Sequence, residues 1–183
     1  MRRVQVLAGI ASAGLVAASL VMGAPASARD VINGTGGDDQ LRGTPFKDTI
    51  RGFGGHDTVH ALAGADLIFG GSGGDGLYGG RGDDSIRGGT EGDLLDGGQG
   101  ADNLYGEAGR DDIAGRAGAD VIFGGAMADE IFDGGGADTI YAGLGHDSVY
   151  LDPDGTPDTV TCGPGKDVVH GATSQDTIAA DCE

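Results

Sequence analysis

Aspartate recurs every nine residues along most of this 183-residue chain. The register runs through Asp30, Asp39, Asp48, Asp57, Asp66, Asp75, Asp84, Asp93, Asp102, Asp111, Asp120, Asp129, Asp138 and Asp147 without a slip. Many of these residues close a glycine-rich run, as in GGSGGD ending at Asp75 and GGRGDD ending at Asp84. A carboxylate beside several accessible backbone carbonyls is a set of hard oxygen donors. Calcium takes six to eight such oxygens at about 2.3–2.6 Å. Hydrolytic chemistry instead needs a nucleophile, a base and an orienting group at converging positions. Here Ser and His fall at variable places of the repeat. The spacing therefore points to cation binding, and the chain is expected not to be an enzyme.

Those carboxylates need elements to position them. From Gly70 the chain divides into GGSGGDGLY, GGRGDDSIR and GGTEGDLLD, with Asp sixth and an aliphatic residue eighth. The aliphatic register is Ile32, Leu41, Ile50, Val59, Ile68, Leu77, Ile86, Leu95, Leu104, Ile113, Ile122, Ile131, Ile140 and Val149. A disordered Gly/Asp tract would not keep an aliphatic residue two places after every Asp. A fixed nine-residue period predicts an all-β, parallel β-roll or β-helix solenoid. Each unit divides into a six-residue turn and a three-residue strand, so two units close one coil. Coils stack at about 4.8 Å. Side chains alternate along a strand, so the eighth residue faces inward and the seventh and ninth outward. Two short parallel sheets with a thin aliphatic core follow. Glycine lets the turn take positive φ without a Cβ clash. One turn offers half a calcium shell, and the turn eighteen residues away can complete it. Two ladders result, one of Asp66, Asp84, Asp102, Asp120 and Asp138, the other of Asp57, Asp75, Asp93, Asp111, Asp129 and Asp147.

The ends are less regular. Residues 29–69 form imperfect N-terminal repeats, where GTPFKD and ALAGAD lack the double glycine, and Phe46 and Phe53 are expected in turns covering an open end of the stack. Residues 70–150 are the core array. At YLDPDGTPD two residues are inserted before Asp158, after which Asp167 and Asp176 resume the step with Val160, Val169 and Ile178 behind them. Residues 151–183 are read as a C-terminal cap. Cys162 and Cys182 are about one coil apart, ~5 Å, within reach of a disulfide. Closing such a loop is worth about 3 kcal/mol.

GGSGGDGLY, GGRGDDSIR and GGQGADNLY satisfy every defined position of GGxGxDxUx. The repeats resemble the repeats-in-toxin (RTX, hemolysin-type) calcium-binding family over nearly the whole chain after residue 28. The resemblance implies a parallel β-roll with calcium between adjacent turns, disordered without the ion and folded outside the cell. It implies as metal ligands the carboxylates of Asp57, Asp66, Asp75, Asp84, Asp93, Asp102, Asp111, Asp120, Asp129, Asp138 and Asp147. Turn carbonyls join them, at Gly70, Gly71, Gly73, Gly79, Gly80, Gly82, Gly97, Gly98 and Gly100. Glu91 and Met127 depart from the pattern by replacing the fourth-place glycine. An N-terminal export signal is a second departure, since many members carry a C-terminal one.

That signal is read from Arg2 and Arg3, the apolar stretch Val4 to Met22, and Ala26-Ser27-Ala28 before Arg29. It is a secretory signal peptide over residues 1–28 with cleavage after Ala28. The stretch is broken by Gly9, Ser12 and Gly14, and no second apolar span follows, so no integral membrane anchor is expected. The remainder carries 9 basic against 29 acidic residues, a net charge of −20. That repels nucleic acid and anionic membranes, and it opposes compaction unless counter-ions bind. Calcium is accordingly the expected cofactor and partner, with folding as the consequence of binding. A second reading is a calcium-stabilised extracellular adhesin or matrix component. It rests on outward ninth-place aromatics, Phe69, Tyr105, Phe123 and Tyr141 on one face and Tyr78, Phe132 and Tyr150 on the other, available for cell-surface or self-association. A calcium-stabilised polysaccharide-modifying enzyme is a third, weakened because the array leaves no room for a catalytic domain. His56, His60, His146 and His170 are scattered and read as surface residues.

Overall fold

The computed structural model describes residues 2–4 and 29–182. Apart from Arg2–Val4, the expected leader lies outside the described residues.

An inward aliphatic residue once per repeat can be buried only if the repeats stack. Among the described residues the chain winds into two parallel sheets of ten and eight strands; Arg2–Val4 pairs with residues 30–32 at one edge of the larger sheet, and from Asp30–Asn33 onward consecutive strands alternate between the two. Between Val31 and Tyr150 residue i pairs with residue i+18, as in Ile68 with Ile86 and Leu104 with Ile122. Every eighth-place side chain from Ile50 to Val160 is fully buried, forming a single file between the sheets. The architecture is the all-β roll that the period predicts.

The division within each repeat differs from expectation. Strands such as Leu67–Ser72, Ser85–Thr90 and Val121–Ala126 are six residues long, leaving a three-residue turn. Three-residue strands occur toward the ends, as in Gln40–Arg42 and Ser148–Tyr150. The ladder continues past the aliphatic residue because backbone pairing needs no side chain. Gly71 pairs with Gly89 and Ser72 with Thr90 even though the chain kinks there. Phe53 belongs to such a strand, Thr49–Gly54, rather than to a turn. That strand is flanked by Asp30–Asn33 and Leu67–Ser72, so the ring, 54% exposed, closes no end of the stack.

The kink is left-handed. Among the described residues six non-glycine residues have positive φ: Phe53, Leu62, Glu107 and Arg116 at the second place, Glu91 and Met127 at the fourth. The backbone therefore keeps one geometry whatever the side chain, and an L-residue there carries a steric cost of about 1–2 kcal/mol. Met127 is 65% exposed at φ 84°. Met127→Gly is expected to raise stability by about 1 kcal/mol, read as a higher denaturant midpoint in saturating calcium. An unchanged or lower midpoint would show that the site is unstrained.

The two-residue insertion is absorbed outside the ladders. Thr139 pairs with Thr159 and Ser148 with Val168, steps of twenty in place of eighteen. The extra chain folds back on the preceding turn, where Gly136 N–H donates to Asp154 Oδ2 at 2.7 Å and the Thr156 hydroxyl donates to the Gly136 carbonyl at 2.6 Å. Cys162 and Cys182 form the expected disulfide, with Cα atoms 5.3 Å apart.

Outward aromatics stack along the roll. Tyr105, Phe123 and Tyr141 form one run at centroid spacings of 5.0 and 4.8 Å, and Phe132, Tyr150 and His170 another at 4.8 and 4.7 Å. The columns are shorter than the sequence suggests. Arg87 stands between Phe69 and Tyr105, its guanidinium 4.6 Å from the Tyr105 ring centre. Asp96 and Ala114 occupy the rungs between Tyr78 and Phe132. His60 stacks on Tyr78, and His56 Nδ1 lies 3.0 Å from both the carbonyl and the N–H of Gly74.

Candidate metal centres in the turns

Each ladder aspartate is fixed by the coil before it. The backbone N–H of Asp66 donates to Asp84 Oδ1 at 2.7 Å, that of Asp84 to Asp102 Oδ1 at 2.7 Å, and that of Asp102 to Asp120 Oδ1 at 2.8 Å. On the opposite edge the same bond links Asp57 to Asp75, Asp75 to Asp93 and Asp93 to Asp111, each at 2.8 Å. Asp111, Asp129 and Asp147 continue that edge at 2.9 Å per step, and Asp120 to Asp138 continues the first at 2.7 Å. The two columns are those expected from the spacing.

The second oxygen of each carboxylate is left over. Among the described residues, thirteen buried Oδ2 atoms have no hydrogen-bond partner. They include all eleven sequence-predicted aspartates from Asp57 to Asp147, together with Asp133 and Asp167. Folded domains hold a few buried unpartnered polar groups per hundred residues, so a set of thirteen, eleven of them in regular files, requires a partner of another kind.

The glycines explain how that oxygen is presented. A methyl group on first-place Gly97 would lie 2.5 Å from Asp102 Oδ2 and 2.9 Å from the Gly115 carbonyl oxygen of the next coil. Gly70 and Gly79 face Asp75 and Asp84 in the same way, with the Gly88 and Gly97 carbonyls opposite. The missing side chain thus leaves a carboxylate oxygen and a stacked carbonyl oxygen turned toward one place. At the second and fourth places, Gly71, Gly73, Gly80, Gly82, Gly98 and Gly100 have positive φ. Each packs against the carbonyl of the residue eighteen earlier: Phe53, Gly55, Leu62, Gly64, Gly80 and Gly82 in turn. First-place Ala61 and Ala142 instead carry a fully buried methyl group.

Electrostatics agree with the geometry. Burial pushes Asp84, Asp93, Asp129 and Asp138 up to about 7, with neighbouring ladder carboxylates adding and the donated backbone N–H opposing. Burial likewise raises Asp57, Asp66 and Asp102 to about 6. It raises Asp75, Asp111, Asp120 and Asp147 in the same direction. None of these carboxylates is in a salt bridge among the described residues.

The ends of the array are built differently. Thr35 donates both its N–H, at 2.6 Å, and its hydroxyl, at 2.9 Å, to Asp39 Oδ2. Thr44 does the same for Asp48 and Thr173 for Asp176, at the same two distances. Hydrogen bonds from Thr173 and Asp158 hold Asp176 below the usual carboxylate range. These terminal carboxylates are satisfied by the protein itself, a feature the register alone does not announce. At Thr35 and Thr44 its signal is a threonine four residues before Asp, where most inner turns carry glycine.

Buried carboxylates with a free oxygen, alternating with close carbonyls, fit a hard divalent cation. The model of the RTX calcium-binding nonapeptide repeat (four copies) matches residues 27–50, 33–68, 51–86, 87–122 and 123–155. The chain belongs to this family. Its RTX repeats carry calcium-binding character and account for the roll. A search of curated proteins finds no match to this chain.

Proposed function

We propose that the chain is a secreted RTX module that binds several calcium ions along both turn edges and folds as they bind. The observation carrying this reading is the file of buried, unpartnered Oδ2 atoms from Asp57 to Asp147. Calcium supplies the positive charge and the oxygen-seeking coordination that these turns lack. The protein's part is to hold donors in place. Backbone N–H groups orient each carboxylate through Oδ1, glycines bring carbonyls close, and the aliphatic file keeps water from the interior. The proposed ligands are the sixth-place carboxylates with the turn carbonyls. Metal binding at sites absent from the unfolded chain becomes folding free energy, and the charge of −20 that opposes the apo fold is reduced by every ion. The chain acts in this reading as a binding and folding module and not as a catalyst. Secretion fits both the leader-like first 28 residues and an extracellular calcium supply.

The test is far-ultraviolet circular dichroism of the purified chain, titrated with calcium and separately with magnesium, then reversed with chelator. A cooperative gain of β signal in micromolar-to-millimolar calcium, absent with magnesium, is the expected result. A β spectrum indifferent to chelator would overturn ligand-driven folding.

A further inference from the structure

We propose that Asp133, Asp138 and Asp158 form a calcium centre of a second kind, with three carboxylates, which fills before the repeated sites. The inference rests on the calcium reading above and concerns a place where the chain departs from the repeat. Residue 133 occupies the first place of DGGGAD, which is glycine in each of the five preceding repeats, from Gly88 to Gly124. First-place side chains point inward, and Asp133 is accordingly 1% exposed. Its carboxylate enters the space that elsewhere only the next Asp and a stacked carbonyl overlook.

Its setting is fully specified. Asp133 Oδ1 accepts N–H bonds from Gly134 at 2.6 Å and Asp152 at 2.8 Å. Asp133 Oδ2 and Asp138 Oδ2 are both buried without a partner. Asp158, in the next coil, orients itself by accepting the Asp138 N–H at 3.0 Å. One ligand oxygen from each of the three residues lies within 4.8 Å of the other two. The two salt bridges among the described residues lie elsewhere, Arg87 with Glu107 and Arg116 with Asp96. Three converging buried carboxylates without a cationic side chain call for a hard metal ion.

The insertion belongs to the same construction. Its fold-back through Asp152 and Asp154 supplies the N–H that aims Asp133 and ties down the Gly136 turn. An irregularity that looks like decay of the repeat thus equips one centre with more charge than its neighbours. Affinity of oxygen sites for calcium rises with ligand charge and rigidity.

The decisive experiment is a calcium-binding isotherm of the whole chain, by calorimetry with chelator competition at pH 7.5. One ion is expected at free calcium on the order of ten- to a hundredfold below the main class of sites. Asp133→Gly restores the repeat's own residue and keeps the fold, and it should merge that ion into the main class. Asp84→Asn, at an ordinary turn, should reduce the main class and leave the tight ion in place. A single uniform class in the parent chain, or a tight ion that survives Asp133→Gly, overturns this centre alone. No calcium binding by the parent chain would overturn the reading on which it rests.

Discussion

Lowering the pH from 7.5 to 5.5 should raise the calcium concentration needed for half-maximal β signal by on the order of tenfold or more. The cause is the file of buried carboxylates, with Asp84, Asp93, Asp129 and Asp138 at about 7 and Asp57, Asp66 and Asp102 at about 6. Below those values a proton occupies the oxygen that the ion would take, and each ion bound must displace it. The same shifts act in the opposite sense on the calcium-free chain. A carboxyl whose pKa is raised above its unfolded value of 3.8 holds more protons folded than unfolded between about 4 and 7. Stability then increases as pH falls through that window and is lost as pH rises through about 7. Without calcium, circular dichroism should therefore show more β structure at pH 5 than at pH 8. A calcium midpoint that does not move between pH 5.5 and 7.5 would mean that these carboxylates are not the ligands.

A single side chain in a central turn should do more damage than any one lost carboxylate. Gly100 has φ 133°, and a Cβ there would run into the Gly82 carbonyl of the preceding coil. Valine adds two methyl groups and a backbone conformation that β-branched residues do not tolerate. Neither turn can yield, because the strands that flank each of them are paired on both sides. Gly100→Val is expected to cost about 4 kcal/mol or more in saturating calcium. Because coils contact only their neighbours, proteolysis should cut near the substitution and leave two protected pieces. Gly37→Ala is the control, since nothing lies within 4 Å of the added methyl group. It should change stability by less than about 0.5 kcal/mol. Wild-type stability in Gly100→Val would show that the turns are looser than their close packing implies.

What was legible in the sequence is what repeats. One aliphatic residue in nine, Ile68 or Leu104, has a single way to be buried, so the coil, the two sheets and both aspartate columns follow from counting. The six-residue strand was not legible. Its second half is held by backbone pairs such as Gly71 with Gly89, which leave no mark in side-chain type. Thr35, Thr44 and Thr173 are only faintly marked, because a hydroxyl reaching forward to a carboxylate looks like ordinary turn composition. Asp133 was hidden by abundance, one aspartate among many, distinguished only by its place in the nine. The aromatic residues alone suggest longer columns than exist, because Arg87, Asp96 and Ala114 occupy rungs between them.

The bond from each aspartate N–H to the carboxylate of the following coil gives the roll an arrow. Along the inner ladders from Asp57 to Asp147, this bond makes each coil orient the carboxylate that comes next along the chain. Each completed coil is thus a template for its successor, and the information for placing a ligand passes from the N-terminal side toward the C-terminal side. Loss of one inner coil therefore frees the carboxylate on its C-terminal side, while the one on its N-terminal side stays held by the coil before it.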